Sequence, residues 1–520
     1  MGLLKDLQET FLSDLSFLKQ EENPRPMPKP RQRMYAGAQS SRLTAGWTAA
    51  ATSADTEIRG SIKKLRQRSR QLVRDNSYAR QAVRSICSNV VGPDGIKLQA
   101  QVRMVRGKKL DSRINEAIET AWKKWCRYDS AHTAGRLDWV GIQRLAVNSL
   151  IESGEVFIRI VRKPFGRSTI PFSLEILESD QLDDEFSGGS TKEGNTWRMG
   201  IEQDGFGRAV QYAFLKKHPG DTPFAVQPGE KRHMLIPAAE ICHIFLQDRP
   251  SQSRGVPWLS SSIQPLHHLA GFQEASVIRA RAASSLMGFI TNPDTGELDP
   301  GGEVFEEERV TQFEPGVFKY LDSGSQITVP DLDSPNGEFP EFMRAMLRSV
   351  AAGCGVSFES VSRDFSQTNY SSSRLSLLED RSQYRSIQRY LIETFHTRIY
   401  DAWLEMAVLS GNIDLPTYEA EPERFRRIRF IPRGWNFIDP QKEVAAAKEA
   451  VKAGFKTQAE VIAEQGGDIE ELFPARADEV MKASQLDLVF DTNPATATQP
   501  KEASNINETN KPEKDGGKET

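Results

Sequence analysis

The chain has 520 residues, enough for two to four domains with buried cores. With 38% hydrophobic and 27% charged residues and a mean hydropathy of −0.51, it is typical of a folded, slightly polar protein. The 67 basic and 71 acidic residues leave a net charge of −4. This charge excludes a protein that binds nucleic acid tightly over its whole surface. Any contact with DNA must be local or transient.

The four cysteines are widely spaced and form no CxxC pair, so reduced thiols are expected and neither a disulfide scaffold nor a zinc site. No apolar run is long enough to span a bilayer. The first 20 residues mix charges with Leu and Phe, which predicts an amphipathic helix and no signal peptide. We therefore expect no membrane contact, no cofactor, and a protein that stays in the cytoplasm of the cell that makes it.

The first half of the chain predicts an arm followed by an α+β domain. Residues 1–56 are expected to form the N-terminal helix and an extended arm, because residues 21–56 are polar, Pro-rich and without period. Two helices follow, the second capped at Asp75-Asn76-Ser77. Further helices are predicted from Asp111 or Ser112 and over 138–151. Period-two strands are predicted at 96–100, 155–161, 172–176, 209–215 and 241–246. Residues 57–257 therefore have the pattern of an α+β domain.

From residue 258 the pattern becomes mostly helical. A helix is predicted over 258–284, with Pro265 expected to kink it or delay its start. Residues 285–337 carry repeated turn signals and predict a small β-containing insertion. A second helix over 338–355 leads into a polar loop, 356–373.

The C-terminal part predicts one long helix and three shorter ones. Apolar residues recur every fourth position from Ile387 to Trp403, so a helix with one buried side is predicted over 374–409. The residues from the end of this helix to 439 are expected to connect it to the C-terminal helices. Asp439-Pro440 begins a helical segment, 440–490, that includes helices at 457–465 and 468–483. Residues 491–520 are polar and are predicted to be disordered.

A search for catalytic motifs finds one candidate. Closely spaced carboxylates occur at Glu178, Asp180, Asp183, Asp184 and Glu185, and such a cluster could hold a divalent metal in a nuclease. A solvated acidic surface is the favoured interpretation, and a metal-dependent DNA-processing enzyme is the alternative. His267-His268 lacks partners at ligand spacing, and neither a serine-hydrolase elbow nor a P-loop is present. We expect no catalytic residue, no metal and no enzyme.

Two basic clusters are candidates for DNA contact. One lies between Arg59 and Arg74, and the other is a row one helical turn apart, Arg381, Arg385 and Arg389. Both could contact phosphates. Pairing with acidic residues of a neighbouring subunit is the other interpretation, and it is favoured.

Several strings resemble the lambda-type family of tailed-phage portal proteins, and they occur in the family's order over roughly residues 40–485. They are Arg42-Leu43-Thr44, Arg68–Ala79, His243-Ile244-Phe245, Arg249–Leu259, Leu347–Gly353, Asn369–Arg374 and Trp435–Glu443. Each string is short, but the ordered set is specific. The arm at 21–40 and the tail show no match.

The resemblance implies a head–tail connector subunit in a ring of about twelve copies at one capsid vertex. Residues 57–257 and 374–439 would form the wing, 258–284 and 338–355 the two stem helices, 285–337 the clip, and 440–490 the crown. The implied partners are other copies of the chain, double-stranded DNA passing non-specifically, the terminase large subunit, major capsid and scaffold proteins, and the head-completion or tail connector proteins. The implied location is the virion, with assembly in the host cytoplasm.

The resemblance also points to one loop near the DNA. The polar segment 356–373 follows the second stem helix and is the candidate tunnel loop. Its candidate DNA-facing residues are Arg363, Ser366, Gln367, Asn369 and Tyr370. The other interpretation is a plain connection between domains.

Overall fold

A computed structural model of the chain describes residues 50–105, 109–191, 194–221, 232–284 and 338–486, with four short strands between residues 289 and 328 and the single positions 42, 46 and 488. Contacts divide the chain into two compact units, Met1–Ser53 and Ala54–Thr520. The second unit contains every helix and strand given below. The predicted N-terminal helix and arm, most of the insertion at 285–337, and the tail at 491–520 lie outside the described residues.

Helices make up much of the described chain. They are α1 Ala54–Asp75, α2 Ser77–Val90, α3 Ser112–Trp125, α4 Trp139–Ser153, α5 Ile263–Ser284, α6 Glu338–Cys354, α7 Phe358–Ser362, α8 Tyr370–Leu391, α9 Thr397–Leu409, α10 Pro422–Phe425, α11 Pro440–Lys452, α12 Gln458–Glu464 and α13 Ile469–Gln485. None of the helices among the described residues is both long and apolar enough to cross a membrane.

The strands are short and antiparallel. They are β1 Lys97–Ala100, β2 Glu155–Val161, β3 Ser173–Leu177, β4 Thr196–Arg198, β5 Ile201–Gln203, β6 Ala209–Leu215, β7 His233–Pro237, β8 Ile241–Phe245, β9 Phe289–Thr291, β10 Val304–Phe305, β11 Glu308–Arg309, β12 Gln326–Thr328 and β13 Ile428–Ile431.

These strands form two larger sheets and three pairs. One sheet has the order β3-β2-β8 and the other is a meander, β4-β5-β6-β7; the pairs are β1-β13, β9-β12 and β10-β11. In the central strand β2, Ile158 lies opposite Ile176 and Cys242. The predicted Asp204-Gly205 turn joins β5 and β6. The mixed α+β fold predicted from the sequence is confirmed.

A cluster of tryptophans lies at the centre of the main core. Trp122 and Trp125 of α3, Trp139 of α4 and Trp403 of α9 are all buried. The ring of Trp122 lies 4.8 Å from that of Trp125 and 4.9 Å from that of Trp403. Truncating one buried tryptophan to alanine typically costs about 3–5 kcal/mol. This cluster therefore holds α9, from the C-terminal half, against two helices of the N-terminal half.

The turn between α4 and β2 depends on a glycine. Gly154 has φ +87°, which a side chain disfavours. A Cβ built there would lie 2.3 Å from the carbonyl carbon of Val256. Only glycine allows the backbone before the stem helices to pass this close to β2.

The two helices predicted as stems pack side by side. Residues Trp258–Ser262 form a 3₁₀ turn, and α5 begins at Ile263, so Pro265 lies in the first turn, where its missing N–H is tolerated. Of the two predicted effects of Pro265, the delayed start is therefore the one observed. At Gly353 of α6, a Cβ would lie 2.4 Å from Ser262 Oγ. The absence of a side chain there permits this close contact.

The segment predicted as the loop 356–373 is shorter than expected. It contains α7, and the long helix begins at Tyr370 instead of 374. The Asn369 side chain accepts the N–H of Ser372, and the Ser372 hydroxyl accepts the N–H of Asn369, so a local capping box starts the helix early. The long helix is also interrupted by a π-helical turn, Ile392–His396.

The C-terminal helices begin where the sequence predicts. The side chains of Asp439, Thr457 and Asp468 accept backbone N–H groups at the starts of α11, α12 and α13. Gly454, with φ +76°, follows the end of α11.

Candidate functional site

The candidate tunnel loop is the short connection between α7 and α8. Arg363 ends α7 in the left-handed conformation, with φ +59°. Residues 363–369 then run without regular structure to the capping residue Asn369. Arg363, Ser366, Gln367 and Asn369 are exposed, as is Tyr370, which is the first residue of α8. The five residues predicted to face DNA thus share one accessible segment, and their contact with DNA stays a prediction.

The base of this loop is tied to α8 by one buried carboxylate. Asp380 accepts the backbone N–H of Ser357 at 2.8 Å and the hydroxyls of Ser357 and Ser360 at 2.7 Å each. Gln81 of α2 donates to the Ser360 carbonyl at 3.2 Å. The loop is therefore a short exposed turn on a fixed base. No local sequence signal had indicated Asp380, because its partners lie about 20 residues earlier in the chain.

One acidic residue of the loop is tied to the second predicted stem helix. Arg344 Nε lies 3.6 Å from Asp364 Oδ2. Hydrogen bonds from Ser366, together with the charge of Arg344, lower the pKa of Asp364. Asp364 is therefore held as an anion beside Arg363 within the same loop.

The basic row of α8 packs against the returning chain. The guanidinium carbons of Arg381 and Arg385 lie 5.7 and 5.4 Å from the centre of the Trp435 ring. Arg381 also donates to the Asn436 carbonyl at 3.2 Å, and Arg389 pairs with Glu393 one turn further along, at 3.2 Å. These contacts lie within one subunit, and contact of the row with DNA or with a neighbouring subunit stays a prediction. Arg385 and Arg389 remain exposed.

The acidic cluster and the basic segment of α1 meet in the structure. Lys63 Nζ lies 3.2 Å from Asp184 and 2.7 Å from Glu185, and Arg70 pairs with Asp180. His233 Nε2 is 2.7 Å from Asp183 Oδ2. The favoured expectation, that the basic segment pairs with a neighbouring subunit, is therefore wrong for Lys63 and Arg70, whose partners lie in the same chain. The expectation of a freely solvated acidic surface is wrong for Asp183 and Asp184, which are buried.

Three residues of this region could supply metal ligands. One ligand atom from each of Glu178, Asp180 and His218 lies within 4.8 Å of the others. Arg70, however, already neutralises Asp180, and a cationic guanidinium at this position opposes a divalent ion. The geometry therefore does not favour the metal-dependent enzyme.

A buried ion network that no sequence pattern predicted surrounds β2. The completely buried carboxylate of Glu155 pairs with Arg254 at 2.6 Å and with Arg66 of α1. His243 Nε2 lies 3.1 Å away and the Gly255 N–H donates at 2.9 Å. His243, on strand β8, is part of this network as well. Because these residues are far apart in sequence, no local pattern links them.

All four cysteines are free, in agreement with the expected reduced thiols. Burial raises the pKa of Cys87, Cys242 and Cys354 to about 11. These side chains therefore serve as packing groups and not as nucleophiles.

Comparisons with known proteins agree on one family. The model of the phage portal protein, lambda family, matches residues 40–388. The probable portal protein of Halomonas phage phiHAP-1 is 28% identical over 94% of this chain and 93% of that protein. Portal protein B of Escherichia phage lambda is 21% identical over 84% of this chain and 87% of its own length.

A solved structure described as the neck of a native gene transfer agent particle computed with C12 symmetry is 15% identical. It covers 77% of this chain and 93% of its own, with a TM-score of 0.42. That similarity is too low for a comparison of individual positions. The family match over about two thirds of the sequence shows that the chain belongs to the lambda family of phage portal proteins.

Proposed function

We propose that the chain forms a closed ring at one vertex of a phage capsid and that double-stranded DNA enters and leaves through the centre of that ring. The observation that carries this proposal is the match to the lambda portal family over residues 40–388. Relatives named as portal proteins, aligned over most of their own length, support it. The role is structural, and the paired state of the acidic cluster gives the enzyme alternative no support.

In this proposal each part of the subunit has a position in the ring. The sheets with α1–α4 and α8–α9 would form the wing, α5 and α6 the stem, residues 285–337 the clip, and α11–α13 the crown. The antiparallel packing of α5 on α6 supports the stem assignment, because a stable helical hairpin is a natural wall for a channel. The short strands β9–β12 suit a small β-containing clip.

The charge distribution suits passage of DNA better than retention. A channel for a moving polyanion should lack basic sites that bind DNA tightly, because each fixed phosphate contact resists translocation. The net charge is −4, and Lys63, Arg66 and Arg70 are neutralised by carboxylates of the same chain. In the candidate tunnel loop, Arg363 is the one basic residue; Asp364 lies beside it, and the rest of the loop to Asn369 is uncharged. Weak, local contacts with phosphates are therefore expected there.

The further partners follow from the family role. We propose that the clip side of the ring binds the terminase large subunit during packaging and the head-completion or tail connector proteins afterwards. The wing side would meet the major capsid and scaffold proteins in the host cytoplasm, where the particle assembles.

Electron microscopy of the purified protein, with a mass measurement on the same sample, tests the proposal. Rings of about twelve copies, with a central hole wide enough for duplex DNA, are the expected result. A monodisperse monomer or dimer in every salt concentration tried would contradict it.

A further inference from the structure

The three C-terminal helices are unusual in how little of them is buried. Between residues 440 and 486, Ala483 is the single buried position among the described residues. The ion pairs Arg374–Glu443 at 3.5 Å and Lys123–Glu471 at 3.0 Å attach the ends of the segment to the body of the subunit. Between α12 and α13, Gln99 also donates a hydrogen bond to Asp468, and the backbone of Gly434 lies against that of Gln465. Exposed ion pairs of this kind contribute little to stability. Among the described residues, α11 and α13 therefore have little packing against the rest of the subunit.

Helices this short need a packing partner. Isolated helices of fewer than about 12–15 residues are marginal in water, and most helical stability in proteins comes from burying an apolar face. The helix α13 also contains Pro474 in its sixth position, where one backbone hydrogen bond is lost. The helix α13 has 17 residues, but Pro474 leaves only 11 of them beyond the interruption, and few of its side chains are covered by the described part of the subunit. An additional packing surface would therefore stabilise α13.

One side of α13 carries an apolar stripe. Leu472 and Phe473 are about half exposed, and Val480, two turns later, is 38% exposed. They fall on one face at helical spacing, with Arg476 between them, paired to Glu479, and Glu470 at the edge of the face. Ala483, at the far end of this face, is already buried. Exposed large apolar side chains in such a row indicate a contact surface.

A second set of apolar side chains lies on α11 and in the turn after it, where Phe455 follows Gly454 three residues beyond the end of the helix. On the helix, Val444, Ala447 and Val451 recur at spacings of three and four. Val444 is 37% exposed and Phe455 is 84% exposed. Lys448 lies on the same face.

The two helices are complementary in charge. The helix α11 contains three lysines and two glutamates, a net charge of +1, and Lys456 follows four residues after its end. Residues 469–485 contain four acidic and two basic residues, a net charge of −2. An acidic-flanked apolar stripe and a basic-flanked one therefore match as two sides of one interface.

We propose that α13 of one subunit packs on α11 of the next, so that a second copy of this chain covers both stripes. The inference rests on the proposed ring. Because the two surfaces differ, the contact is head-to-tail, which is the type that closes into a ring under cyclic symmetry. The C-terminal helices would then hold neighbouring subunits together.

Site-specific photo-crosslinking tests this contact in the full-length protein. Benzoylphenylalanine replaces Phe473, and rings are assembled from a mixture of ¹⁵N-labelled and unlabelled subunits, isolated by size and irradiated. We expect covalent dimers on denaturing gels. We also expect crosslinked peptides that join residue 473 of one isotopic form to residues 440–456 of the other.

The possible failures are distinguishable. If rings assemble but residue 473 crosslinks within its own chain, to other segments, or to nothing, the helix contact is refuted and the ring stands. If no ring assembles under any condition, the proposed function and this inference fall together.

Substitutions give an independent measurement. The change Leu472→Ser with Phe473→Ser should raise the subunit concentration needed for half-maximal assembly by about tenfold or more, as expected for interface anchors. Far-ultraviolet circular dichroism should report an otherwise intact subunit, because neither side chain is buried in it. Phe206→Ser, at a residue 95% exposed in the β5–β6 hairpin, is the matched control and should leave assembly unchanged. Equal effects from both changes, or none from either, would overturn the proposal.

Discussion

Glu155 and Arg254 lie 99 residues apart in sequence, and both side chains are fully buried in one ion pair. Arg254 Nη2 lies 2.6 Å from Oε1 and Nε lies 3.1 Å from Oε2. Burial alone would raise the pKa of the Glu155 carboxyl, but the charges of Arg254 and Arg66 together hold that pKa well below its ordinary range. One carboxylate thus fixes α1, the central strand and the approach to the stem helices.

Arg254→Met should therefore lower the free energy of unfolding by about 3–5 kcal/mol, because it leaves a buried charge without part of its compensation. Denaturant titration followed by tryptophan fluorescence measures this change. Combining Arg254→Met with Glu155→Gln should cost less than the sum of the two single changes. The control is Arg249→Met, since the Arg249–Glu57 pair is about half exposed and should contribute under about 1 kcal/mol. Equal losses at the two arginines would contradict the prediction.

The anchoring of the candidate tunnel loop by Asp380 is testable on its own. Asp380→Ala leaves the Ser357 N–H and two serine hydroxyls without their acceptor, which should cost about 1–3 kcal/mol. Hydrogen exchange should speed up in residues 357–369 more than in the tryptophan core. The neighbouring exposed Glu379→Gln should change neither quantity, and uniform acceleration across the subunit would argue against a local anchor.

The close contact between α6 and the 3₁₀ turn before α5 predicts a cost for any side chain at residue 353. Gly353→Ala places a methyl group against Ser261 and Ser262 and should destabilise the subunit by about 1–3 kcal/mol. Gly271→Ala in α5, where a Cβ meets nothing within 4 Å, should be neutral or stabilising. Thermal unfolding compares the two. Adding Ser262→Gly to Gly353→Ala should recover part of the loss; without any recovery, this contact is not what limits residue 353.

His396 should make stability depend on pH. Burial lowers its pKa to about 4, and its Nδ1 lies 3.0 Å from the Leu391 carbonyl within the π-helical turn. The unfolded chain takes up the proton near pH 6.5, so stability is complete above that value and falls by up to about 3 kcal/mol as the pH drops towards 4. His396→Leu should remove this part of the slope. The difference in unfolding free energy between wild type and variant, measured from pH 7 to pH 4, would be flat if His396 did not titrate in this way.

The functional role of the tunnel loop is tested by changing its charge without changing its backbone. Arg363 has φ +59°, so Arg363→Gly removes the charge without adding strain, whereas Arg363→Lys keeps the charge. We expect Arg363→Gly to impair DNA packaging or retention in a complementation assay while rings still form, and Arg363→Lys to package nearly normally. Normal packaging by the glycine variant would contradict a DNA-facing role for Arg363. Asn369 suits this test less well, because it also caps α8.

The sequence predicted helix starts correctly where hydrogen bonds between neighbouring residues determine them. The helix starts at Asn76, Asp111, Asp439 and Thr457 were predicted correctly, because each cap is a hydrogen bond to a residue within three positions. The same kind of signal could have located the start of α8. The polar run Ser371-Ser372-Ser373 was predicted to be loop, although Asn369 and Ser372 form a capping box.

Contacts between residues distant in sequence determined which charged residues pair and which become buried. The family and the order of helices and strands follow from the sequence by itself, because periodicity, caps and short strings are local properties. Which charges pair does not follow from it: the basic segment of α1 meets the cluster at 178–185, and Arg66 and Arg254 meet Glu155, only once the sheet brings them together. Since a buried charge must find its partner within a few ångströms, only tertiary structure determines which of many surface-type residues becomes buried and paired.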